Sequence, residues 1–493
     1  MAPRQSIDER LEPLITHLIL ENFKSFRERQ EIELGPLTLI YGPNGGGKSA
    51  LIQALLLLEQ SVIDRPPESD AALVTVGGGR ISVPFDSLVH GKPEAGSFRI
   101  GWRTDASDGA GIEIKLRSRS QEVGAANADN EIEELVYSSP RFGVMDLSFA
   151  GRIRLKGDDP RTNVAGNLAT PFYQLCAEAS VASVEAVLAG INYSEEQYGR
   201  PAYLSGKGVL PSSLWYRSQD GDSKKLEFMD KWEIFAEWTR LLLRDSLASM
   251  GWVPAFREMP PEAPWVSLSH GRYRWWSDVN LDPLNRRLAG LGFPYELFYW
   301  RKPLPNGTSA RQIFIKDLKS QLDVSLRDVG FGIGQVIPML AMLDQEFGMI
   351  CVEEPEIHLH PRAQACLADI LLQDLENNSR RRANLDPMQD EDEIEWSFDP
   401  YRVGPMYGVG SPQSIGQRRQ WIVETHSELM IRRIQRRIRN GETGLPAPAV
   451  VVLYVEPTAN GALVHRIPLA DDGEFECPWP GGFFADTMDD MLA

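Results

Sequence analysis

Residues 37–60 read LTLIYGPNGGGKSALIQALLLLEQ: an apolar β-rich run, a glycine loop and a strong helix former in unbroken succession. The loop is Gly42, Pro43, Asn44, Gly45, Gly46, Gly47, Lys48 and Ser49. It fulfils the phosphate-loop pattern G-x-x-x-x-G-K-[ST] in the strand–loop–helix setting that the pattern requires. Glycines let the backbone wrap a phosphate with its N–H groups pointing inward, and the start of the following helix adds a favourable dipole. Lys48 is placed to reach the β- and γ-phosphates, and Ser49 to hold Mg²⁺. A chain built on this element is expected to contain a largely parallel sheet with the loop at its C-terminal edge.

The rest of the composition narrows the class. At 493 residues the chain is too long for one core, so two or three structural units are expected. No apolar run approaches the roughly 18 residues of a membrane span, and the polar start MAPRQSIDERLEP is no secretory signal. Cys176, Cys351, Cys366 and Cys477 are scattered without a C-x-x-C pair, which favours a reducing cytoplasm and offers no zinc site. The formal net charge of −18 argues against a protein that coats nucleic acid, so any such binding needs a local basic patch.

Taken in order, residues 17–34 read as two short strands, and residues 80–103 as further strands, ISVPFDSLVHG and SFRIGW. Residues 1–103 therefore form the first half of the nucleotide-binding unit. Residues 104–311 read as an inserted helical or mixed domain, with helices expected over Thr170–Gly190 and Phe228–Met250 and no chemical constellation between Trp252 and Trp300. Residues 312–469 resume the unit. They bring the glycine turn Gly330–Gly334 that opens a helix, a strand Met349–Val352, a helix Arg362–Glu376 and a loop insertion over 377–419. A strand Trp421–Val423, a basic helix Leu429–Asn440 and two final strands follow, and residues 470–493 form a tail.

Two further motifs carry chemistry. The strand Met349–Val352 ends in Glu353 and Glu354. In a nucleotide-hydrolysing parallel sheet, the strand beside the phosphate loop delivers a carboxylate toward Mg²⁺, the place read for Glu353. Glu354, one residue on, is then aimed to orient or deprotonate the attacking water. His426 stands just past the end of the next strand, where a neutral imidazole can hydrogen-bond a phosphate oxygen or that water. The pair His358 and His360 reads as a structural or interface turn, because Pro361 and a helix start follow at once.

Together, ENFKSF, GPNGGGKS, DVGFGIGQVIP, CVEEPEIHLHP and VETHSE resemble the ABC-type (SMC/RecF-like) ATPases. More narrowly they resemble bacterial AAA-labelled proteins related to the ATPase half of the overcoming-lysogenization-defect nucleases. The resemblance spans about 17–103, 312–376 and 420–485. It implies an α/β fold: an ABC/SMC-like P-loop ATPase head with a mixed sheet, flanking helices and an antiparallel β lobe. It also implies ATP and Mg²⁺ as ligands, and a homodimer or higher oligomer that sandwiches ATP. In that sandwich Gly330, Gly332 and Gln335 form the signature turn that touches nucleotide held by the other subunit, although no serine is present in this turn. Residues Glu356–Pro361 look like the D-loop at the dimer interface. Lys24 and Ser25 fall near the adenine side, and the metal-contacting glutamine corresponds to Gln53 or to the Ser87–Gly91 turn. Fewer than 40 residues follow Glu456, so a Toprim nuclease domain is not expected there, and any cutter is expected to be a separate effector protein. The family reading is a regulatory ATPase of anti-phage defence, and its rival is a RecF-like DNA-binding ATPase. Arg432, Arg433, Arg436 and Arg437 of the basic helix are the candidate contacts to nucleic acid or to an acidic partner.

Overall fold

Alternation along the phosphate-loop strand decides the layering. In β3 (Leu37–Tyr41) every residue is buried, with Leu37, Leu39 and Tyr41 packed into one hydrophobic core and Ile40 into another. A strand buried on both faces needs a layer on each side, and the chain supplies them. The computed structural model describes residues 14–62, 71–76, 80–92, 96–105, 109, 111–118, 130–139, 143–153, 172–175, 214–215, 247, 250–257, 280–303, 309–325, 328–345, 347–383 and 418–480.

The first layer is an eight-stranded sheet. It contains β1 (Ile15–Glu21), β2 (Gln30–Glu33), β4 (Ser97–Thr104), β5 (Gly111–Ser118), β6 (Asn130–Ser139), β7 (Gly143–Ile153), β8 (Phe172–Leu175) and β9 (Leu214–Trp215), in the order β2-β1-β4-β5-β6-β7-β8-β9. Its pairings are antiparallel except that between β8 and β9. The central layer is a six-stranded sheet adding β10 (Met250–Val253), β14 (Met349–Glu353), β15 (Gln420–Glu424), β16 (Val450–Thr458) and β17 (Gly461–Arg466) to β3. Its order is β10-β14-β15-β3-β16-β17, parallel throughout except for β17. A three-stranded antiparallel sheet of β11 (Tyr295–Pro303), β12 (Ser309–Asp317) and β13 (Asp323–Ser325) stands apart from both.

Helix α1 (Lys48–Val62) packs between the first two layers, with Leu51, Leu55 and Leu58 buried in the core to which both sheets contribute. Each such side chain contributes about 2 kcal/mol of burial. The far face of the central sheet is covered by α2 (Leu281–Gly290), α3 (Phe331–Met342), α4 (Pro361–Ala383) and α5 (Glu428–Arg439), whose apolar stripes join Leu39, Val352, Trp421 and Val452 in the second core. Gln420, almost fully buried, ties the layers together: its Nε2 donates to the carbonyls of Ile15, 2.9 Å, and Gly35, 3.1 Å.

Several expectations change. Residues 81–91 are not a strand but irregular chain with a 3₁₀ turn at Phe85–Ser87, entered from Pro84, whose fixed φ and missing N–H suit a turn better than a ladder. The boundary expected at 103/104 falls at the end of β4, and the same antiparallel sheet continues through β5 to β7. Met250, expected to end a helix, starts β10, which joins the central sheet; the remainder of the helix expected over Phe228–Met250 lies outside the described residues except Leu247, which is helical. Phe172–Leu175, expected to be helical, is β8, and the remainder of that helix lies outside the described residues. Helix α4 continues to Ala383, past the expected insertion start at residue 377. Arg419, placed in that insertion, is buried and donates to the carbonyls of Phe347, 2.6 Å, and Gln345, 3.2 Å.

Candidate functional site

The C-terminal ends of β3, β15 and β14 lie side by side, and each delivers part of one constellation. From β3 the chain enters the glycine loop. Gly47 has φ +110°, and a Cβ there would collide with Ser25 Oγ, so the loop requires glycine at this point for conformation and for space. Lys48 is buried at the start of α1, and its Nζ donates to the carbonyls of Gly42, 3.1 Å, and Pro43, 3.2 Å. Burial draws the Lys48 ammonium below its ordinary range, against the opposing pull of Glu424, Glu354 and Glu356.

The strand beside β3 is β15, not β14 as expected for the acidic strand. It ends at Glu424, which is 4% exposed. Ser49 Oγ donates to Glu424 Oε1 at 3.0 Å, and Lys48 Nζ stands 3.7 Å from the same oxygen. Burial pushes the Glu424 carboxyl up to about 7, opposed by its hydrogen bond from Ser49. Reading of the sequence missed this residue. The available clue was a carboxylate closing the otherwise apolar run Trp421–Val423, on the same strand face as Ile422 and hence toward α1.

One strand further out, Glu353 accepts from Trp252 Nε1, 3.1 Å, and the Ala255 amide, 3.3 Å. Burial raises its carboxyl as well. Its partners thus lie on and just after β10, in a stretch expected to hold no chemistry. Glu354 follows with φ +44°, an uncommon conformation for a side-chain-bearing residue, pinned by its amide donating to the Glu424 carbonyl at 2.7 Å. This turn brings Glu354 Oε1 to 3.8 Å from His426 Nε2. The imidazole is held below its ordinary range by burial and by Lys48, and its Nε2 is buried without a hydrogen-bond partner among the described residues. The His426 amide donates to Glu356 Oε1 at 2.5 Å, so the expected D-loop residue also fixes the histidine's backbone.

Arg257 is the second residue that escaped notice. It is 6% exposed and donates to four carbonyls: Pro254, 3.0 Å; Gln335, 3.0 Å; Glu353, 2.5 Å; and Glu354, 3.0 Å. Gln335 Nε2 returns a bond to the Arg257 carbonyl at 3.2 Å. Burial pulls the guanidinium down to about 10, against Glu356, Glu353 and Glu354. One side chain thereby joins β10, the glycine-turn helix α3 and the acidic strand end. Arg257→Ala leaves several buried carbonyls without a donor, and we expect about 3 kcal/mol lower stability, read as a drop in thermal midpoint that Arg257→Lys only partly restores.

Gly330 caps α3, and Gly332 lies so close to the His358 carbonyl that a side chain there would collide with it. Gln335, expected to touch nucleotide held by a second chain, is 3% exposed here, with its Nε2 donating to the Arg257 carbonyl. Phe331 is 62% exposed and meets the His358 ring edge-on at 5.2 Å. His360 Nδ1 accepts from the Arg362 amide at 3.3 Å at the start of α4, a structural use of the H-x-H pair. Gln53 is bonded to Lys24 Nζ, and Ser25 Oγ is buried facing Gly47 without a partner among the described residues.

The donors near Ser49 are hard oxygens, which fits Mg²⁺, and Glu424 Oε2 is buried without a hydrogen-bond partner among the described residues. Those residues contain no group of three or more His, Cys, Asp or Glu side chains able to cage a metal alone. No helix among them is long and apolar enough to cross a membrane.

An AAA-domain family profile matches residues 17–121, and a second, described as AAA domain, putative AbiEii toxin, Type IV TA system, matches residues 239–431. Among curated proteins none matches the chain. The chain is similar to the Smc head domain of Pyrococcus furiosus, solved with an extended coiled coil and bound to the C-terminal domain of ScpA, at 10% identity over 92% of this chain and 96% of that one, with a TM-score of 0.41. It is similar to the SMC head domain from Thermotoga maritima at 11% identity over 92% and 100%, with a TM-score of 0.35. The layers and strand order carry the fold by themselves. The chain is an ATP-binding ATPase with two AAA-domain matches, its phosphate loop in one matched segment and Glu353, Glu354 and His426 in the other.

Proposed function

We propose that the chain is an ATP-hydrolysing dimerisation switch, the regulatory subunit of an anti-phage system that works with a separate effector. The observation that carries the switch is the convergence of Lys48, Ser49, Glu354 and His426 at three adjacent strand ends. In this reading the Gly42–Ser49 amides hold the phosphates and Lys48 neutralises them. Glu354 takes a proton from the attacking water, and His426, kept neutral by burial, has Nε2 free to bond that water or the γ-phosphate. Mg²⁺, when bound beside Ser49, supplies charge neutralisation on the phosphate oxygens. The exposed rings of Phe331 and Phe256, the latter 97% exposed and next to Arg257, support a second copy covering this end. The defence role rests on the motif resemblance and on the toxin–antitoxin description of the second matched profile.

The RecF-like alternative needs a basic surface, and the basic helix offers little of one. Arg433 and Arg437 both grip Asp369 of α4 at 2.7 Å, and Arg432 pairs with Glu428 at 3.0 Å. Arg436 is exposed and interacts electrostatically with Glu442, and a single arginine is a small footprint. The test is solution mass with and without ATP and Mg²⁺, followed by addition of duplex DNA. We expect nucleotide to double the mass and DNA to leave turnover unchanged at moderate salt. DNA-stimulated turnover with a steep salt dependence would instead favour the RecF-like reading.

A further inference from the structure

The central sheet sets two carboxylates in register at its catalytic end, Glu353 on β14 and Glu424 on β15. Their side chains are used differently. Glu353 is committed outward, accepting from Trp252 Nε1 and the Ala255 amide at the sheet edge. Glu424 is committed inward: one oxygen accepts from Ser49 Oγ at 3.0 Å, and the other is buried without a hydrogen-bond partner among the described residues. Burying a carboxylate oxygen without a partner is costly unless a cation comes to it, and Lys48 Nζ, at 3.7 Å from Oε1, serves only the first oxygen.

We propose that Glu424, with Ser49, is the magnesium-site carboxylate of this chain, in the place expected for Glu353, and that Glu353 is a positioning residue fastening β10 to β14. The assignment rests on the ATP-site reading above. Its geometry is favourable. Two adjacent oxygen ligands of an octahedral Mg²⁺, each about 2.1 Å from the metal, are about 3 Å apart, the spacing of Ser49 Oγ and Glu424 Oε1. The strand order gives the reason: β15 stands directly beside the phosphate-loop strand, with β14 one strand further away. The α1 face of β15, which includes Ile422 and Glu424, looks toward the helix that begins at Lys48 and Ser49.

The assignment has a consequence for nucleotide binding that does not involve turnover. Without the metal, the Glu424 carboxylate faces the triphosphate with like charge and opposes it; with the metal, it becomes an attraction. Wild-type chain should therefore bind a non-hydrolysable ATP analogue at least about tenfold more tightly with Mg²⁺ than in EDTA. Glu424→Gln should bind the analogue better than wild type in EDTA and gain less than about threefold from Mg²⁺. Glu353→Gln should keep the wild-type Mg²⁺ gain while its thermal midpoint falls equally with and without the metal. Mn²⁺ serves as the direct probe: in the presence of ADP, its spin-resonance signal should report one bound ion per chain in wild type and Glu353→Gln, and none in Glu424→Gln. Glu424→Asp, which keeps the charge, supplies the comparison if the glutamine variant folds poorly, and should retain the Mg²⁺ gain in weakened form. A full Mg²⁺ gain and bound Mn²⁺ in Glu424→Gln, with both lost in Glu353→Gln, would overturn the assignment and leave the ATP reading standing. Wild-type chain that binds no nucleotide would remove the ATP reading and this assignment with it.

Discussion

Lys48→Ala is expected to abolish ATP binding at micromolar nucleotide while leaving the fold intact, as measured by calorimetry and by thermal melting of the nucleotide-free chain. Charge-assisted bonds to phosphate are worth about 1.5–3 kcal/mol each, so losing two of them weakens affinity by about a hundredfold or more. The buried carboxylate of Glu424, 3.7 Å from the ammonium, adds to this. Without Lys48 that charge has no cation on its Ser49 side and repels the incoming triphosphate. In EDTA, Lys48→Ala combined with Glu424→Gln should therefore recover part of the binding that Lys48→Ala loses, a non-additivity that mere damage to the loop would not produce. The fold should tolerate the change, since alanine is a strong helix former and the lost bonds run to carbonyls of the loop itself. Tight ATP binding by Lys48→Ala would sink the site assignment.

Glu354→Gln carries the second large effect. Positioned general-base catalysis is worth about 10²–10⁴ in rate, so turnover should fall by at least about a hundredfold while ATP stays bound. The backbone at φ +44° is set by the amide of Glu354 donating to Glu424, which glutamine keeps. The variant should accumulate as the ATP-bound dimer, visible as a doubled mass in light scattering that persists after free nucleotide is removed. His426 should shift too, because the carboxylate 3.8 Å from its Nε2 is the one neighbour that favours the imidazolium. Near-normal turnover by Glu354→Gln would move the catalytic role to another residue.

What could be read in advance was what is local in the chain. The phosphate loop, the acidic strand end and His426 each lie within a few consecutive residues, flanked by runs whose period declares strand or helix. What could not be read depends on partners far away. The strand β10 is four residues long, and its only described ladder partner begins about a hundred residues later, so nothing local distinguishes MGWV from a loop. Arg257 acts entirely through backbone carbonyls of Pro254, Gln335, Glu353 and Glu354, a use with no sequence pattern. Glu424 was in view beside His426, but its meaning comes from Ser49, on a strand–helix unit nearly four hundred residues earlier. The register that makes β15 the neighbour of β3 is likewise a non-local fact, and it moves the inner acidic position from one glutamate to another.

The placement of β3 between β15 and β16 also bears on how the protein is made. Both neighbours come late, pairing at Trp421–Glu424 and Val450–Tyr454, whereas β3 itself lies within the first tenth of the chain. During synthesis the run LTLIY therefore has both ladder edges open until Glu424 has left the ribosome and one edge open until Tyr454 has, and such an edge invites pairing with other chains. The phosphate loop acquires its base only after that point. A product that ends before residue 420 lacks Glu424 and His426, the groups that β15 and the residues after it bring to the phosphate loop.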